Sequence, residues 1–153
     1  MVYKLIVISD IHHDMARLKA MLPMFNAADY VIFCGDGIND IMSMRRSILA
    51  PLVCVRGNND VGANFADMVS VLLGDTRAIV THGHRQLINN DITGLVTAAK
   101  LKGCQMVFYG HTHQFYNRMV DGVHLICPGA LCDGSYAVVV GDGITFKCKQ
   151  EFI

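Results

Sequence analysis

Five short apolar runs, each followed closely by an aspartate, an asparagine or a histidine, constrain this chain more than any other feature. The runs are rich in valine, isoleucine and aromatic residues, a composition typical of buried β-strands. They are residues 4–9 before Asp10, 30–34 before Asp36, 52–55 before Asn58, 78–81 before His82, and 106–109 before His111. Because ligands bind beyond the carboxyl ends of the strands in an open α/β sheet, we expect these polar side chains to share one site.

Helical periodicity separates the first runs from one another. A helix is predicted after Asp14, which can cap its first turn, and Pro23 is expected to end or bend it. Residues 38–49 and 90–102 carry two further helical patterns, and Gly103 stops the second of these. The N-terminal part of the chain therefore alternates strand and helix.

Antiparallel hairpins dominate the last third of the chain. Three hairpins are predicted in all, with strands at 69–73 and 77–81, at 115–120 and 123–127, and at 136–140 and 144–152. The Asp121-Gly122 pair in the second hairpin is the strongest of the turn signals. Strands alternating with helices and then followed by hairpins predict a mixed α/β sandwich in a single domain, residues 1–153.

The composition argues against several classes of protein. Hydrophobic residues make up 52% of the chain and charged residues 17%, a balance that favours a folded core over disorder. The 13 basic and 13 acidic side chains cancel, so we expect no strong binding to nucleic acid. No apolar stretch approaches the roughly 18–20 residues of a membrane span, so we expect no membrane association.

Six cysteines could form disulfides or stay free. Most of them lie within apolar runs, as Cys34 and Cys54 do, and the sequence contains no Cys-x-x-Cys pair. Free, buried cysteines in a reducing cytoplasm are therefore the favoured interpretation, although the sequence does not determine any pairing.

Seven oxygen and nitrogen donors near the strand ends indicate a metal site. They are Asp10, His12, Asp36, Asn58, His82, His111 and His113. Each one alone has an ordinary explanation, such as a helix cap, a turn or a core histidine. Their coincidence at five strand ends, and above all the two imidazoles of Gly110-His111-Thr112-His113, favour ligation. Oxygen and nitrogen donors without thiolate suit Mn²⁺, Fe²⁺, Zn²⁺, Ni²⁺ or Co²⁺ rather than Ca²⁺, and their number suits two ions that share a bridge.

Five motifs in the chain carry a resemblance to a known family. They are Asp10-Ile11-His12, Gly35-Asp36, Gly57-Asn58-Asn59-Asp60, His82-Gly83-His84 and Gly110-His111-Thr112-His113. In this order they resemble the calcineurin-like metallophosphoesterases, and the size and spacing are similar to those of the small bacterial and archaeal phosphodiesterase branch. The resemblance implies a four-layer αββα sandwich, in which two mixed β-sheets lie face to face with helices outside.

The same resemblance implies a role for each donor. It assigns one metal to Asp10, His12, Asp36 and His113, and the other to Asp36, Asn58, His82 and His111, with Asp36 as the bridge. Two divalent transition-metal ions, manganese being the favoured one, would hold the phosphate and share a hydroxide that attacks phosphorus. The implied activity is hydrolysis of a small phosphodiester.

Asn59 departs from the pattern of much of the superfamily, which has a histidine there that protonates the leaving oxygen. An amide cannot act as a general acid near neutral pH, so the catalytic proton needs another source. His84 and His13 are the candidates by their position in the sequence, and a solvated or metal-supporting role is the alternative for each. The family's Asn-Pro-Gly-Ser is also replaced, here by Cys127-Pro128-Gly129-Ala130.

Two other functions are consistent with the sequence. The same centre could hydrolyse phosphomonoesters. The retromer scaffold subunit, which has a similar fold, serves as a platform for protein interactions, so a non-catalytic scaffold is the alternative of a different class. The complete set of seven ligands favours the enzyme, and a homo-oligomer is left open.

Overall fold

Ten β-strands form two five-stranded sheets in the computed structural model, which describes residues 1–87 and 89–153. In chain order the strands are β1 (Tyr3–Ile8), β2 (Tyr30–Phe33), β3 (Leu52–Cys54), β4 (Met68–Leu73), β5 (Thr76–Thr81), β6 (Met106–Phe108), β7 (Phe115–Val120), β8 (Val123–Pro128), β9 (Ser135–Gly141) and β10 (Phe146–Phe152). The helices are α1 (Met15–Ala20), α2 (Leu22–Asn26), α3 (Ile38–Ser43) and α4 (Thr93–Leu101). The first sheet has the strand order β10-β9-β1-β2-β3, and the second has the order β4-β5-β6-β8-β7.

Each sheet mixes parallel and antiparallel pairs. Strands β1, β2 and β3 are parallel in the first sheet, and β5, β6 and β8 are parallel in the second. The three predicted hairpins are confirmed as the antiparallel pairs β4–β5, β7–β8 and β9–β10. Parallel strands end at the same edge of a sheet, so the loops that follow them are gathered there.

Alternation along β1 shows how the layers pack. Leu5 and Val7 face the second sheet and join a buried cluster that includes Phe108 of β6. Ile6 and Ile8 face the other way, in a cluster with residues of α1, α2 and α3. A third cluster joins α4 to the outer face of the second sheet. The four-layer αββα sandwich that the family resemblance implied is therefore confirmed.

The first helical region follows its prediction. The Asp14 side chain caps α1 by accepting a hydrogen bond from the backbone N–H of Arg17 at 3.1 Å. The helix ends at Ala20, and Pro23 lies in the first turn of α2. No helix among the described residues is long and apolar enough to cross a membrane.

Two other helices are shorter than their sequence patterns predicted. The helix expected over 38–49 ends at Ser43, and a one-turn 3-10 helix follows at Arg45–Ser47. The helix expected over 90–102 begins only at Thr93, because the carboxylate of Asp91 accepts hydrogen bonds from the backbone N–H and the hydroxyl of Thr93.

All six cysteines are free, as predicted. Cys34, Cys104 and Cys127 are buried, and the other three are partly buried.

Candidate metal centre

The loops after five parallel strands bring the seven predicted donors together. The first sheet contributes Asp10 and His12 after β1, Asp36 after β2 and Asn58 after β3, and the second contributes His82 after β5 and His111 and His113 after β6. We refer to these residues as the seven-donor cluster. Contacts of 3.0–3.9 Å between donor atoms join all seven side chains.

One half of the cluster is built around Asp10. Its Oδ1 lies 3.2 Å from Nε2 of His113 and 3.5 Å from Nε2 of His12, and the two Nε2 atoms are 3.2 Å apart. Its Oδ2 accepts hydrogen bonds from the Ser9 hydroxyl and the His111 backbone N–H. Oδ1 is buried and has no hydrogen-bond partner among the described residues. Buried oxygens are normally satisfied, so this carboxylate and its two imidazoles fit a divalent cation.

The other half of the cluster is built around His82. Its Nε2 lies 3.0 Å from Oδ1 of Asn58, 3.3 Å from Nδ1 of His111 and 3.3 Å from Oδ2 of Asp36. Its Nδ1 lies 2.8 Å from the carbonyl oxygen of Cys34, a contact that requires a proton on Nδ1. In the neutral ring this proton leaves the lone pair of Nε2 directed at the cluster, as metal-binding histidines require. In the charged ring of the metal-free protein, Nε2 donates to Asp36 instead.

Asp36 connects the two halves. Its Oδ2 lies 3.3 Å from Nε2 of His82 and 3.9 Å from Nε2 of His12. Burial alone would raise the pKa of Asp36. The hydrogen bonds from His82 and Asn59 and the charge of His82 outweigh this effect, and together they lower the pKa to about 2. Burial lowers the pKa of His82, but the hydrogen bond to Asp36 and the charges of Asp10 and Asp36 raise it above its ordinary value. The Asp36 carboxylate is therefore ionised at any pH at which the neighbouring imidazoles could bind a metal.

Left-handed backbone is concentrated at the cluster. Asp10, His12, Asp36, His111 and His113 have φ angles of 56°, 46°, 63°, 73° and 61°. Such angles are uncommon for residues other than glycine and cost about 1–3 kcal/mol each. The surrounding fold therefore holds five of the seven donors in strained conformations that direct their side chains to one point.

Two glycines make room for the carboxylates. A Cβ atom on Gly57 would lie 2.0 Å from Oδ1 of Asp36, and one on Gly110 would lie 2.0 Å from the Ser9 hydroxyl and 2.9 Å from Oδ2 of Asp10. These approaches leave no space for a side chain, which explains why glycine precedes the donors Asn58 and His111.

Asp60 is a positioning residue, and no sequence pattern singled it out beyond its place in the Gly57–Asp60 motif. Its two carboxylate oxygens accept hydrogen bonds at 2.8–3.1 Å from the backbone N–H groups of Asp36, Gly37, Ile38 and Gly57. The carboxylate thus ties the loop that carries Asp36 to the loop that carries Asn58.

Asn59 and the two candidates for proton transfer, His84 and His13, occupy different places. Asn59 contacts Asp36, to which both its backbone N–H and its side-chain amide donate at 2.9 Å. The ring of His84 lies 5.5 Å from that of His82, and its buried Nδ1 has no partner among the described residues. Burial and the neighbouring charge of His82 lower the pKa of His84. The side chain of His13 is 93% exposed and contacts Asp40 instead of the cluster.

A cleft of about 100 Å³ opens beside the cluster. His12 and Asp36 form one part of its lining, and Asn39 and Asn59 form another. A substrate in this cleft would therefore meet Asp36 and Asn59 together.

Comparison with known proteins identifies the family. The sequence pattern of the calcineurin-like phosphoesterase superfamily domain matches residues 3–143. The chain belongs to this superfamily. A phosphodiesterase of Methanocaldococcus jannaschii is 29% identical over 167 aligned positions, which cover 97% of this chain and 96% of that protein. The superfamily is metal-dependent, and membership in it indicates hydrolase activity on phosphoesters.

Several solved structures share the fold. A predicted phosphoesterase from Streptococcus pneumoniae superimposes with a TM-score of 0.84 at 25% identity, covering 99% of this chain and 90% of that one. Vps29 of Entamoeba histolytica, whose structure was determined with Zn²⁺, superimposes with a TM-score of 0.73 at 18% identity, covering 97% of this chain and 98% of that one. At that identity the likeness to Vps29 concerns the fold alone.

Proposed function

We propose that this chain is a phosphodiesterase that uses two divalent metal ions. The observation that carries the proposal is the position of Asp36, whose Oδ2 faces Nε2 of both His12 and His82. A carboxylate that lies between two groups of donors is the arrangement that a bridging ligand requires. The relation to the Methanocaldococcus jannaschii phosphodiesterase over nearly the whole chain supports the same activity.

The proposed ligand sets follow the two halves of the cluster. Asp10, His12, Asp36 and His113 would hold one ion, and Asp36, Asn58, His82 and His111 would hold the other. Two ions bound there would lower the pKa of a shared water and stabilise the attacking and leaving oxygens of an in-line displacement. Only Asp10 and Asp36 in this set carry negative charge, so the loaded centre stays positive and attracts a phosphate.

We expect manganese to be the most effective ion, with Fe²⁺, Ni²⁺, Zn²⁺ or Co²⁺ as alternatives. The set contains four imidazoles, two carboxylates and one amide oxygen. Imidazole favours transition metals, and oxygen donors accommodate Mn²⁺, whereas Ca²⁺ prefers a shell of oxygens alone.

Two residues beside the ligand sets, Asn59 and His84, have different proposed roles. Asn59 orients the bridging carboxylate through two hydrogen bonds and has no acidic proton to give to a leaving group. His84 is the candidate for proton transfer because its ring lies 6.3 Å from that of His111 and its Nδ1 has no partner among the described residues. Its lowered pKa keeps the ring neutral near pH 7, so we expect it to be a weak acid catalyst.

We expect a small or exposed phosphodiester as the substrate, with the reaction in the cytoplasm. The cleft beside Asp36 is open and small, and free cysteines suit a reducing compartment.

Metal analysis of the purified protein, combined with hydrolysis assays of matched aryl phosphomonoesters and phosphodiesters, tests the proposal. We expect two transition-metal ions per chain and faster turnover of the diester. Faster turnover of the monoester would favour a phosphatase. Two bound ions without hydrolysis of either ester would favour the non-catalytic scaffold.

A further inference from the structure

A second group of metal-binding side chains lies next to the seven-donor cluster and shares one residue with it. His113, Cys132 and Asp133 each place one donor atom within 4.8 Å of those of the other two. Cys132 and Asp133 belong to the one-turn 3-10 helix Leu131–Asp133, which follows β8. The sequence alone gave no reason to connect this turn with His113.

The turn is fixed to the loop that carries Asp10. The backbone N–H of Leu131 donates to the carbonyl of Ser9 at 2.9 Å, and that of Cys132 donates to the carbonyl of Asp10 at 3.2 Å. The Arg17 guanidinium donates to the Cys132 carbonyl at 2.9 Å. Three hydrogen bonds therefore hold the backbone of Leu131 and Cys132 beside the cluster, and no large rearrangement is needed to bring the thiol to His113.

The charges around this group favour a cation. Asp133 is exposed and forms no ion pair among the residues that the structure describes. Arg17, the cation nearest to this turn by its contacts, pairs instead with Asp14 at 2.7 Å. Within the seven-donor cluster, the buried Oδ1 of Asp10, which has no hydrogen-bond partner among the described residues, lies 3.2 Å from Nε2 of His113. Two acidic side chains, those of Asp10 and Asp133, therefore lie near the imidazole of His113.

The donor types differ from those of the seven-donor cluster. Cysteine, histidine and aspartate are the ligands of Zn²⁺, which holds them at about 2.0–2.3 Å in tetrahedral sites. Donors of one such ion lie roughly 3–4 Å apart, so small side-chain rotations close the separation seen here. Thiolate selects Zn²⁺ over harder ions such as Mn²⁺.

We propose that His113, Cys132 and Asp133 form a second binding site, which overlaps the seven-donor cluster at His113. The site would bind a thiophilic divalent cation such as Zn²⁺. An ion at this site would compete with the seven-donor cluster for the imidazole of His113. Zinc binding would therefore remove His113 from the set that Asp10, His12 and Asp36 complete. The cation site stands on its own geometry, whereas an effect of zinc on hydrolysis rests on the proposed function.

Cobalt provides a direct probe of the site, because a cobalt–thiolate bond gives an intense charge-transfer absorption that oxygen and nitrogen ligands do not. The metal-free protein is titrated with Co²⁺ under reducing, anaerobic conditions. We expect the charge-transfer band in the unmodified protein and in Cys148→Ser, which removes another partly buried cysteine, and its loss in Cys132→Ser. Asp133→Asn should weaken cobalt binding by at least about 10-fold, a loss that even outer-shell changes cause.

Protection from alkylation tests the same site without a substitution. Zn²⁺ should block modification of Cys132 by iodoacetamide, as read by mass spectrometry, and leave Cys148 unchanged. A missing cobalt band, a band that survives in Cys132→Ser, or equal alkylation of Cys132 with and without Zn²⁺ would each overturn the proposal. None of these readouts depends on hydrolysis, so failure of the phosphodiesterase proposal is observed separately.

Discussion

The side-chain amide of Asn59 donates a hydrogen bond to Oδ2 of Asp36 at 2.9 Å, and its backbone N–H donates to Oδ1 of the same carboxylate at 2.9 Å. Asp36 is the donor that faces both halves of the cluster, so Asn59 fixes the orientation of the proposed bridge. Asn59 cannot supply a proton, and its role is therefore to position Asp36.

The first prediction concerns the leaving group. With Asn59 in place, the hydrolysis rate of aryl phosphodiesters should depend steeply on the pKa of the leaving phenol, because general acid catalysis, typically worth about 10²–10⁴-fold, is weak or missing. Asn59→His should flatten this dependence if its ring reaches the leaving oxygen. Loss of the side-chain amide that orients Asp36 should lower the rates of all the esters by a similar factor and so leave the slope unaffected. A series of substituted aryl esters under one metal measures both slopes.

Asn39→His is the matched control for that series. Asn39 lines the same cleft, so the variant adds an imidazole there without replacing the amide that contacts Asp36. We expect its slope to equal that of the unmodified protein. A shallow slope in the unmodified protein would show that another residue already donates the proton, and a steep slope regained in His84→Gln would identify His84 as that donor.

The second prediction concerns the bridge itself. Asp36→Asn keeps the shape of the side chain but removes the charge that would be shared by two ions, so occupancy of both should fall. Hydrolysis should drop by more than about 100-fold, the upper end of what outer-shell changes cause. Elemental analysis and turnover measure the two effects, with Asp40→Asn as an aspartate control outside the cluster. Two tightly bound ions and near-normal turnover in Asp36→Asn would sink the bridging assignment.

The third prediction concerns Asp60. Asp60→Ala leaves four backbone N–H groups without their acceptor, so we expect the free energy of unfolding to fall by about 2–3 kcal/mol. Metal affinity should fall by about 10–100-fold, since the loops carrying Asp36 and Asn58 lose their common anchor. Urea unfolding and metal titration measure these effects.

Asp142→Ala separates stability from metal binding. Asp142 also accepts two backbone hydrogen bonds, from Ile144 and Thr145, but it does so in the turn of the β9–β10 hairpin. We expect a small loss of stability and unchanged metal affinity. Unchanged metal affinity in Asp60→Ala as well would contradict the positioning role.

The fourth prediction concerns pH. The pKa of Asp36 is lowered from 3.8 to about 2, so its stabilisation is present above pH 3.8 and is lost as the pH falls towards 2. The pKa of His82 is raised above 6.5, so its stabilisation is present below pH 6.5 and is lost as the pH rises through the folded value. In metal-free protein, the pair therefore stabilises the fold most between these limits, by about 2 kcal/mol for the Asp36 shift.

Urea unfolding of metal-free protein and Asp36→Asn across the pH range measures this contribution. The difference between them should be largest between pH 3.8 and 6.5. Asp91→Asn is the control, because hydrogen bonds from Thr93 lower the pKa of Asp91 and no histidine contributes to that shift among the described residues. Its effect should not decline above pH 6.5. A difference for Asp36→Asn that stays constant from pH 5 to 9 would contradict the coupling to His82.

Patterns local to the chain predicted most of the fold. They also predicted that the seven donors follow the carboxyl ends of strands. The alternation and length of the apolar runs identify strands such as β1, and the Asp121-Gly122 pair identifies the β7–β8 turn. Helix limits were less predictable because they depend on local side-chain contacts, as the hydrogen bond from Thr93 to Asp91 at the start of α4 shows.

Contacts between distant segments set the limit of the sequence analysis. The hydrogen bond from Asn59 to Asp36 and the approach of Cys132 to His113 join residues from different loops. No periodicity or spacing encodes such pairs, because they follow from how the loops pack at the strand ends. The sequence therefore predicted which residue types meet, and the structure shows how they are oriented.

Stepwise metal loading of chelated protein, with hydrolysis of an aryl phosphodiester followed throughout, tests the central claim most directly. The chelated protein should be inactive, and Mn²⁺ should restore activity mainly as the second equivalent binds, because both ions act in the displacement. Ca²⁺ alone should restore little, given the imidazoles in the ligand set. Full activity after one equivalent of Mn²⁺, full recovery with Ca²⁺, or no hydrolysis at full manganese occupancy would contradict the two-metal phosphodiesterase.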